Sequence, residues 1–250
     1  MSMLKEELRD GVYEIILNRP EKKNALNFEL LGALYQALLN AQRKKSSIVL
    51  IRGSGGAFSA GGDIGEFRTM DGAEQMSAGM DLLNKSILLI RKLNAVVIAV
   101  LEGPVAGAGV GLSLACDLSV AAKNTIINLA FRRVGLAPDG GTSILLPRIA
   151  GAKKSNELFL FARNVDMNEA ATLGLVNFVW EQEGFEENLH KMITDLKALP
   201  MESVKHFKDL TNTAMFSGLE MQLGEEQKAN CDLILKPTFK KRLEALFARK

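Results

Sequence analysis

At 250 residues the chain can bury a substantial core as one large domain or two small ones, since domains usually hold about 100 to 200 residues. Its 47% hydrophobic and 24% charged residues exclude a collagen-like, low-complexity or disordered chain. Against 31 basic side chains stand 29 acidic ones, a formal charge of +2, so no net field points to a nucleic acid or an anionic membrane as partner.

Val12 to Leu17 is β-branched and apolar in the manner of a strand, and Asn18-Arg19-Pro20-Glu21-Lys22-Lys23-Asn24 behind it is turn chemistry. The period then changes: Leu30, Leu34, Leu38 and Ala41 recur at helical spacing behind Asn27, a plausible N-cap, and Ser47 to Arg52 predicts a second strand. Gly53 to Asp63 is glycine-rich. It precedes a long amphipathic helix marked by Met76, Met80, Leu83, Ile87 and Ile90, which feeds an apolar strand from Ala95 to Leu101. A second glycine-rich stretch, Gly103 to Gly111, leads into a short buried helix and a strand from Asp117 to Ala122. From Pro138 onward the pattern is helical, at Gly140 to Ile149, Lys153 to Phe161, Asn168 to Leu173 and after Gly184, with Leu175 to Trp180 as its one strand. Strands alternating with helices early and helices alone late predict an α/β core with a helical tail, of the kind that packs against neighbouring subunits.

Cys116 and Cys231 are too far apart and too few for a disulfide framework or a zinc knuckle, and both sit among apolar residues. His190 and His206 have no partner at metal-ligand spacing, so no metal is expected. The segment Met1 to Asp10 mixes acids and bases, and the longest apolar run is far short of the roughly 20 residues of a membrane span. No membrane association and a cytoplasmic location are the expectations.

Both glycine loops follow apolar strands and precede helices, where backbone N–H groups are left free to face an anion or a developing negative charge. Tight turning and close packing explain the glycines of a single loop equally well. Gly107, Gly109 and Gly111 form G-x-G-x-G, which fails the dinucleotide spacing, and no Walker loop occurs. Ala57-Phe58-Ser59-Ala60-Gly61 comes within one residue of a serine-hydrolase elbow, with His190 or His206 as the base of that rival reading. Asp139, between Pro138 and Gly140, is by local sequence a turn residue or N-cap or else an acid–base group, and Asp63 after its glycine pair reads as a cap.

Taken in order, Asn18-Arg19-Pro20 with Asn24-Ala25-Leu26, then Phe58 to Ile64, Glu102 to Gly111, Ala115-Cys116-Asp117, Gly135 to Gly141 and Ala170 to Val176 resemble the crotonase, or enoyl-CoA hydratase/isomerase, superfamily. Each segment alone is weak; the ordered set is specific, and it spans Val12 to about Val179. The resemblance implies a superhelix of repeated ββα units over residues 1–182 and a helical C-terminal region over 183–250. That region would serve trimerisation, giving a homotrimer or a dimer of trimers. It also implies an acyl-CoA thioester substrate whose coenzyme A enters with the substrate, so that no separate cofactor is expected. By motif position the N–H groups of Gly62 and Ala108 would form an oxyanion hole, and backbone near Lys23, Ala25, Ala60, Asp63 and Ile64 would surround the coenzyme A.

Hydratases of this superfamily use two glutamates, at positions that fall here on Gly111 and Phe131, so a water-activating pair is missing unless another acid such as Glu66 or Glu102 reaches the site. Asp139 falls where enoyl-CoA isomerases, phenylacetate-pathway ring isomerases and a dehalogenase carry their working carboxylate. The dehalogenase type also has a tryptophan just upstream, whereas the tryptophan here is Trp180. A single acid suits a 3-enoyl-CoA to 2-enoyl-CoA isomerase, with hydratase, ring-type isomerase and a non-catalytic acyl-CoA-binding protein as alternatives. Apolar neighbours such as Phe131, Val134 and Leu136 are expected to raise the pKa of Asp139.

Overall fold

The computed structural model describes residues 2–248; Met1, Arg249 and Lys250 lie outside the described residues. Its strands are β1 (Leu4–Arg9), β2 (Val12–Leu17), β3 (Ile48–Gly53), β4 (Val96–Leu101), β5 (Pro104–Ala106), β6 (Leu118–Ala122), β7 (Ile126–Asn128), β8 (Asn164–Val165) and β9 (Phe178–Trp180). The helices are α1 (Phe28–Arg43), α2 (Ile64–Thr69), α3 (Ala73–Lys92), α4 (Ala108–Ala115), α5 (Phe131–Val134), α6 (Thr142–Ala150) and α7 (Ala152–Phe161). They continue through α8 (Met167–Thr172), α9 (Phe185–Lys197), α10 (Met201–Phe216), α11 (Leu219–Ile234) and α12 (Pro237–Phe247).

The larger sheet runs β1-β2-β3-β4-β6-β9, with β1 antiparallel to β2 and every later neighbour parallel. A smaller sheet runs β5-β7-β8, and Ser59 bridges its β5 at Val105. The chain repeats one move: β4 to β5 to α4, then β6 to β7 to α5, preceded by β3, the Ser59 bridge and α2. Each turn is a ββα unit of the expected superhelix. β4 is buried along its whole length, as its unbroken Val-Val-Ile-Ala-Val-Leu run dictates for a strand covered on both faces.

The predicted stripe of α1 is buried against this sheet, while on α3 Leu83, Ile87 and Ile90 join the same core and Met76 and Met80 pack with Val134, Leu136, Ile234 and Phe239; Asn27 caps α1 by accepting from Leu30 N at 3.0 Å. The N-terminal segment, read as featureless, is the edge strand β1, and β8 is a second strand within the stretch expected to hold only one. Beyond residue 183 the chain is helical as predicted, and these helices pack on the same core: α9 covers the outer face of the sheet, and α11 runs along α3. Among the described residues no helix is long and apolar enough to cross a membrane.

Candidate active site

The two glycine loops meet back to back. Ser59 N donates to Pro104 O at 3.1 Å and Ala106 N to Ser59 O at 2.9 Å, so the smaller sheet itself sets the spacing between Gly62 and Ala108. Gly61 makes the approach possible: its φ is +87°, and a Cβ there would lie 2.7 Å from Ala106 O. Among the described residues neither the N–H of Gly62 nor that of Ala108, the first residue of α4, has an acceptor. Two unpaired donors held by a sheet are preorganised for an oxyanion.

Between them lies Asp139. It lines two small cavities together with Gly62, Phe67 and Ala108. One, of about 30 Å³, is walled by Leu26, Phe28, Met80 and Leu83; the other, of about 70 Å³, by Ala60, Ile64, Phe131 and Leu136. The residue is half-buried, and its Oδ1 is enclosed without a hydrogen-bond partner. Burial in this apolar lining pushes the carboxyl well above its usual pKa, and the negative charge of Glu226 adds to that effect. An enclosed acid with an unsatisfied oxygen is a costly feature that structure alone does not require.

The sequence-predicted residues divide into three groups. Asp139, Gly62, Ala108, Ala60 and Ile64 share the 70 Å³ cavity. Lys23 and Ala25 stand behind it: Lys23 O accepts from Ala60 N at 2.9 Å, and Ala25 O is taken by the buried Arg19 at 2.5 Å. The side chain of Asp63 is committed to structure, capping α2 through Gly65 N at 2.8 Å and pairing with Arg19 at 2.8 Å. Those hydrogen bonds and the cation hold its pKa low against the effect of burial.

Position 111 lies against the loop that bears the acid, for a Cβ on Gly111 would come within 2.6 Å of Gly140 O and 2.9 Å of Asp139 O. A glutamate there and this loop exclude each other. The other acids weighed for a second role are occupied elsewhere, Glu66 by Phe28 N at 3.1 Å and Glu102 by Arg52 at 3.0 Å. Among the described residues Asp139 is the only ionisable side chain lining either cavity.

The rival hydrolase reading is overturned by the same geometry, which also agrees with the rejection of a dinucleotide loop. Ser59 is fully buried with its hydroxyl donating to Asn24 O at 2.9 Å, while His190 and His206 are exposed on α9 and α10. Gly109 and Gly111 lie inside α4 instead of forming a phosphate loop.

A family model described as enoyl-CoA hydratase/isomerase matches residues 7–249. The chain belongs to the enoyl-CoA hydratase/isomerase family. Within that family it is similar to YhaR of Bacillus subtilis, with 32% identity over 229 residues that cover 92% of this chain and 89% of that protein. It is also similar to a trans-2-decenoyl-[acyl-carrier-protein] isomerase of Streptococcus mutans, 31% identical over 84% of this chain and 81% of that one. The crystal structure of an enoyl-CoA hydratase from Bacillus halodurans superposes with a TM-score of 0.92 at 26% identity, covering 98% of this chain and 100% of that one.

Three contributors escaped the sequence. Phe67 packs its ring on Gly62, where a Cβ would meet it at 2.5 Å, and divides the two cavities. Glu226 and Asn230, on α11, grip the loop that carries Asp139. Phe67 follows the glycine pair closely enough to have been weighed as a cavity wall; the two α11 residues carry no local signal.

Proposed function

We propose that this enoyl-CoA hydratase/isomerase family member is an isomerase that converts 3-enoyl-CoA to 2-enoyl-CoA through a thioester enolate, with Asp139 as its acid and base. The observation that carries this reading is the solitary buried carboxyl beside two unpaired backbone donors. The thioester oxygen accepts from Gly62 and Ala108 N–H. Asp139 takes a proton from C2, the charge spreads over the dienolate, and the same carboxyl returns the proton to C4. One group serves both steps, because after the first it is the conjugate acid that the second requires. Its raised pKa makes it the stronger base, and the apolar lining keeps water from competing. Loss of one oxyanion donor typically costs about 2.7 to 4 kcal/mol, so a preformed pair supplies a large share of the barrier reduction.

Hydration of a 2-enoyl-CoA calls for a second acid, and the clash at Gly111 together with the engagements of Glu66 and Glu102 weighs against it. The apolar lining, in which Leu26, Leu31, Met80 and Leu83 stand with Phe28 and Phe67, suits an uncharged acyl chain. Lys23, Ala25, Ala60, Asp63 and Ile64 then contribute backbone around the coenzyme A. The exposed Phe207 and Leu210 of α10 and Met221 of α11 support self-association through residues 183–250; a trimer or a pair of trimers, located in the cytoplasm, is part of the same proposal.

The test is to offer 3-hexenoyl-CoA and, separately, 2-hexenoyl-CoA in deuterated water. The expected result is conjugation of the first, followed by absorbance, with no mass gain from water on the second. Hydration of the 2-enoyl substrate at a comparable rate would overturn the single-acid mechanism.

A further inference from the structure

α11 holds the Asp139 loop at four backbone points. Glu226, only 4% exposed, accepts from Gly141 N through Oε2 and from Ser143 N through Oε1, each at 2.8 Å. One turn on, Asn230 accepts from Ala137 N at 2.9 Å and donates to Pro138 O at 3.3 Å. The residues on both sides of Asp139 are thus fixed by a helix that does not line its cavity.

We propose, building on the acid–base reading of Asp139, that Glu226 is a positioning residue for it, holding the loop that carries Asp139 through Gly141 N and Ser143 N with a second acid group. A cap for the start of α6 requires only an acceptor, and a neutral side chain provides one. A buried carboxylate beside another buried acid is a poor choice for stability, since each disfavours ionisation of the other. Among the described residues no cation pairs with either carboxyl. The faces that α1, α2, α3, α4 and α5 turn toward Asp139 carry no other ionisable side chain. Arg132 and Arg133 on α5 are exposed and donate to Leu160 O and Ala162 O, and Arg242 on α12 donates to Arg132 O. Glu225 and Lys228 on α11 are exposed, and Asp81 and Lys85 on α3 pair with each other at the surface. Among the described residues Glu226 is therefore the one acid whose charge bears on Asp139 from within; burial raises its own pKa against the bonds from Gly141 and Ser143 that favour the anion, and that anion acts in the direction that strengthens Asp139 as a base.

The experiment titrates Asp139 in the ligand-free protein by pH-difference infrared spectroscopy, with the carboxyl band identified by its absence in Asp139→Asn. Glu226→Gln, which keeps an acceptor and removes the charge, should move that titration to lower pH. Asn230→Asp keeps the acceptor for Ala137 N and adds a charge on the same helix, and it should move the titration to higher pH. The acid limb of the kcat profile with 3-hexenoyl-CoA should follow, with kcat at the plateau about tenfold lower in Glu226→Gln. A purely structural Glu226 would lower kcat and leave both titrations in place, and that result overturns the proposal. Where Glu226→Gln does not fold, Glu226→Ser, a second neutral variant that keeps a hydroxyl acceptor, decides the matter: the titration should again move to lower pH, and an unmoved titration overturns the proposal. The infrared readout needs no turnover, so an inert enzyme would sink the isomerase reading separately.

Discussion

Asp117 and Asp139 are both carboxyls drawn into the interior, and the protein treats them in opposite ways. Asp117 has its partners supplied: Oδ1 accepts from Arg91 at 3.2 Å, and Oδ2 accepts from Lys208 at 2.7 Å and from Val97 N at 2.9 Å. Lys208 in turn donates to Ile90 O and Ala95 O, which pins α10 to the ends of α3 and β4. Asp139 has an enclosed oxygen with no partner and a second acid behind it. A satisfied buried ion pair is a structural tie; an acid kept unsatisfied persists because something else uses it. Position in the core does not separate the two roles, whereas hydrogen-bond satisfaction does.

Breaking the contrast at its active end should give the largest effect. Asp139→Asn preserves volume and removes the proposed base, and turnover of 3-hexenoyl-CoA should fall about a thousandfold, within the range general acid–base groups supply, while binding of the CoA ester persists. Full turnover in that variant, measured by the absorbance of the conjugated product, would mean that the proton is carried elsewhere. At the structural end Lys208→Met strands the Asp117 charge with Arg91 alone, and denaturant unfolding should report a loss of about 3 to 5 kcal/mol. Its kcat per folded molecule should match that of the parent; a thousandfold drop in kcat would place the Asp117 cluster in the reaction.

The same contrast explains what the sequence disclosed. Residues whose role is read along one element were legible: the stripe Leu30, Leu34, Leu38 and Ala41, the cap Asn27, and the order of the glycine loops with Asp139. The edge strand β1 was not, because five of its six residues are exposed and no alternation marks it. α4 was placed too late in the chain because glycine disfavours helix locally, yet Gly109 packs on Ser59 and Gly111 on the Asp139 loop, contacts that only the folded chain supplies. Asp63 reads as a cap and is one, but its ion pair with Arg19 joins residues 44 positions apart. Glu226 lies 85 positions from Gly141 and looks like any acid on an amphipathic helix. Spacing along the chain reports periodicity and motif order, and it is silent on which distant side chains complete a loop.

The smallest effect sharpens the comparison through stability instead of rate. Burial holds the Asp139 carboxyl of the folded protein well above the ordinary aspartate range, about 3.9, that the unfolded chain approximates. Below pH 4 or so both states carry the proton, and the group makes no difference to folding. As pH rises past the unfolded value, the unfolded chain releases the proton while the folded one retains it, so folding stability declines until the raised folded value is passed, and then levels off. Asp139→Asn does not titrate and escapes this decline. The two proteins should therefore differ least in acid, and the variant should gain on the parent through the weakly acidic range, read as a widening gap between their denaturation midpoints. A gap that narrowed with rising pH for Asp139→Asn would mean that the carboxyl is stabilised as an anion in the folded protein.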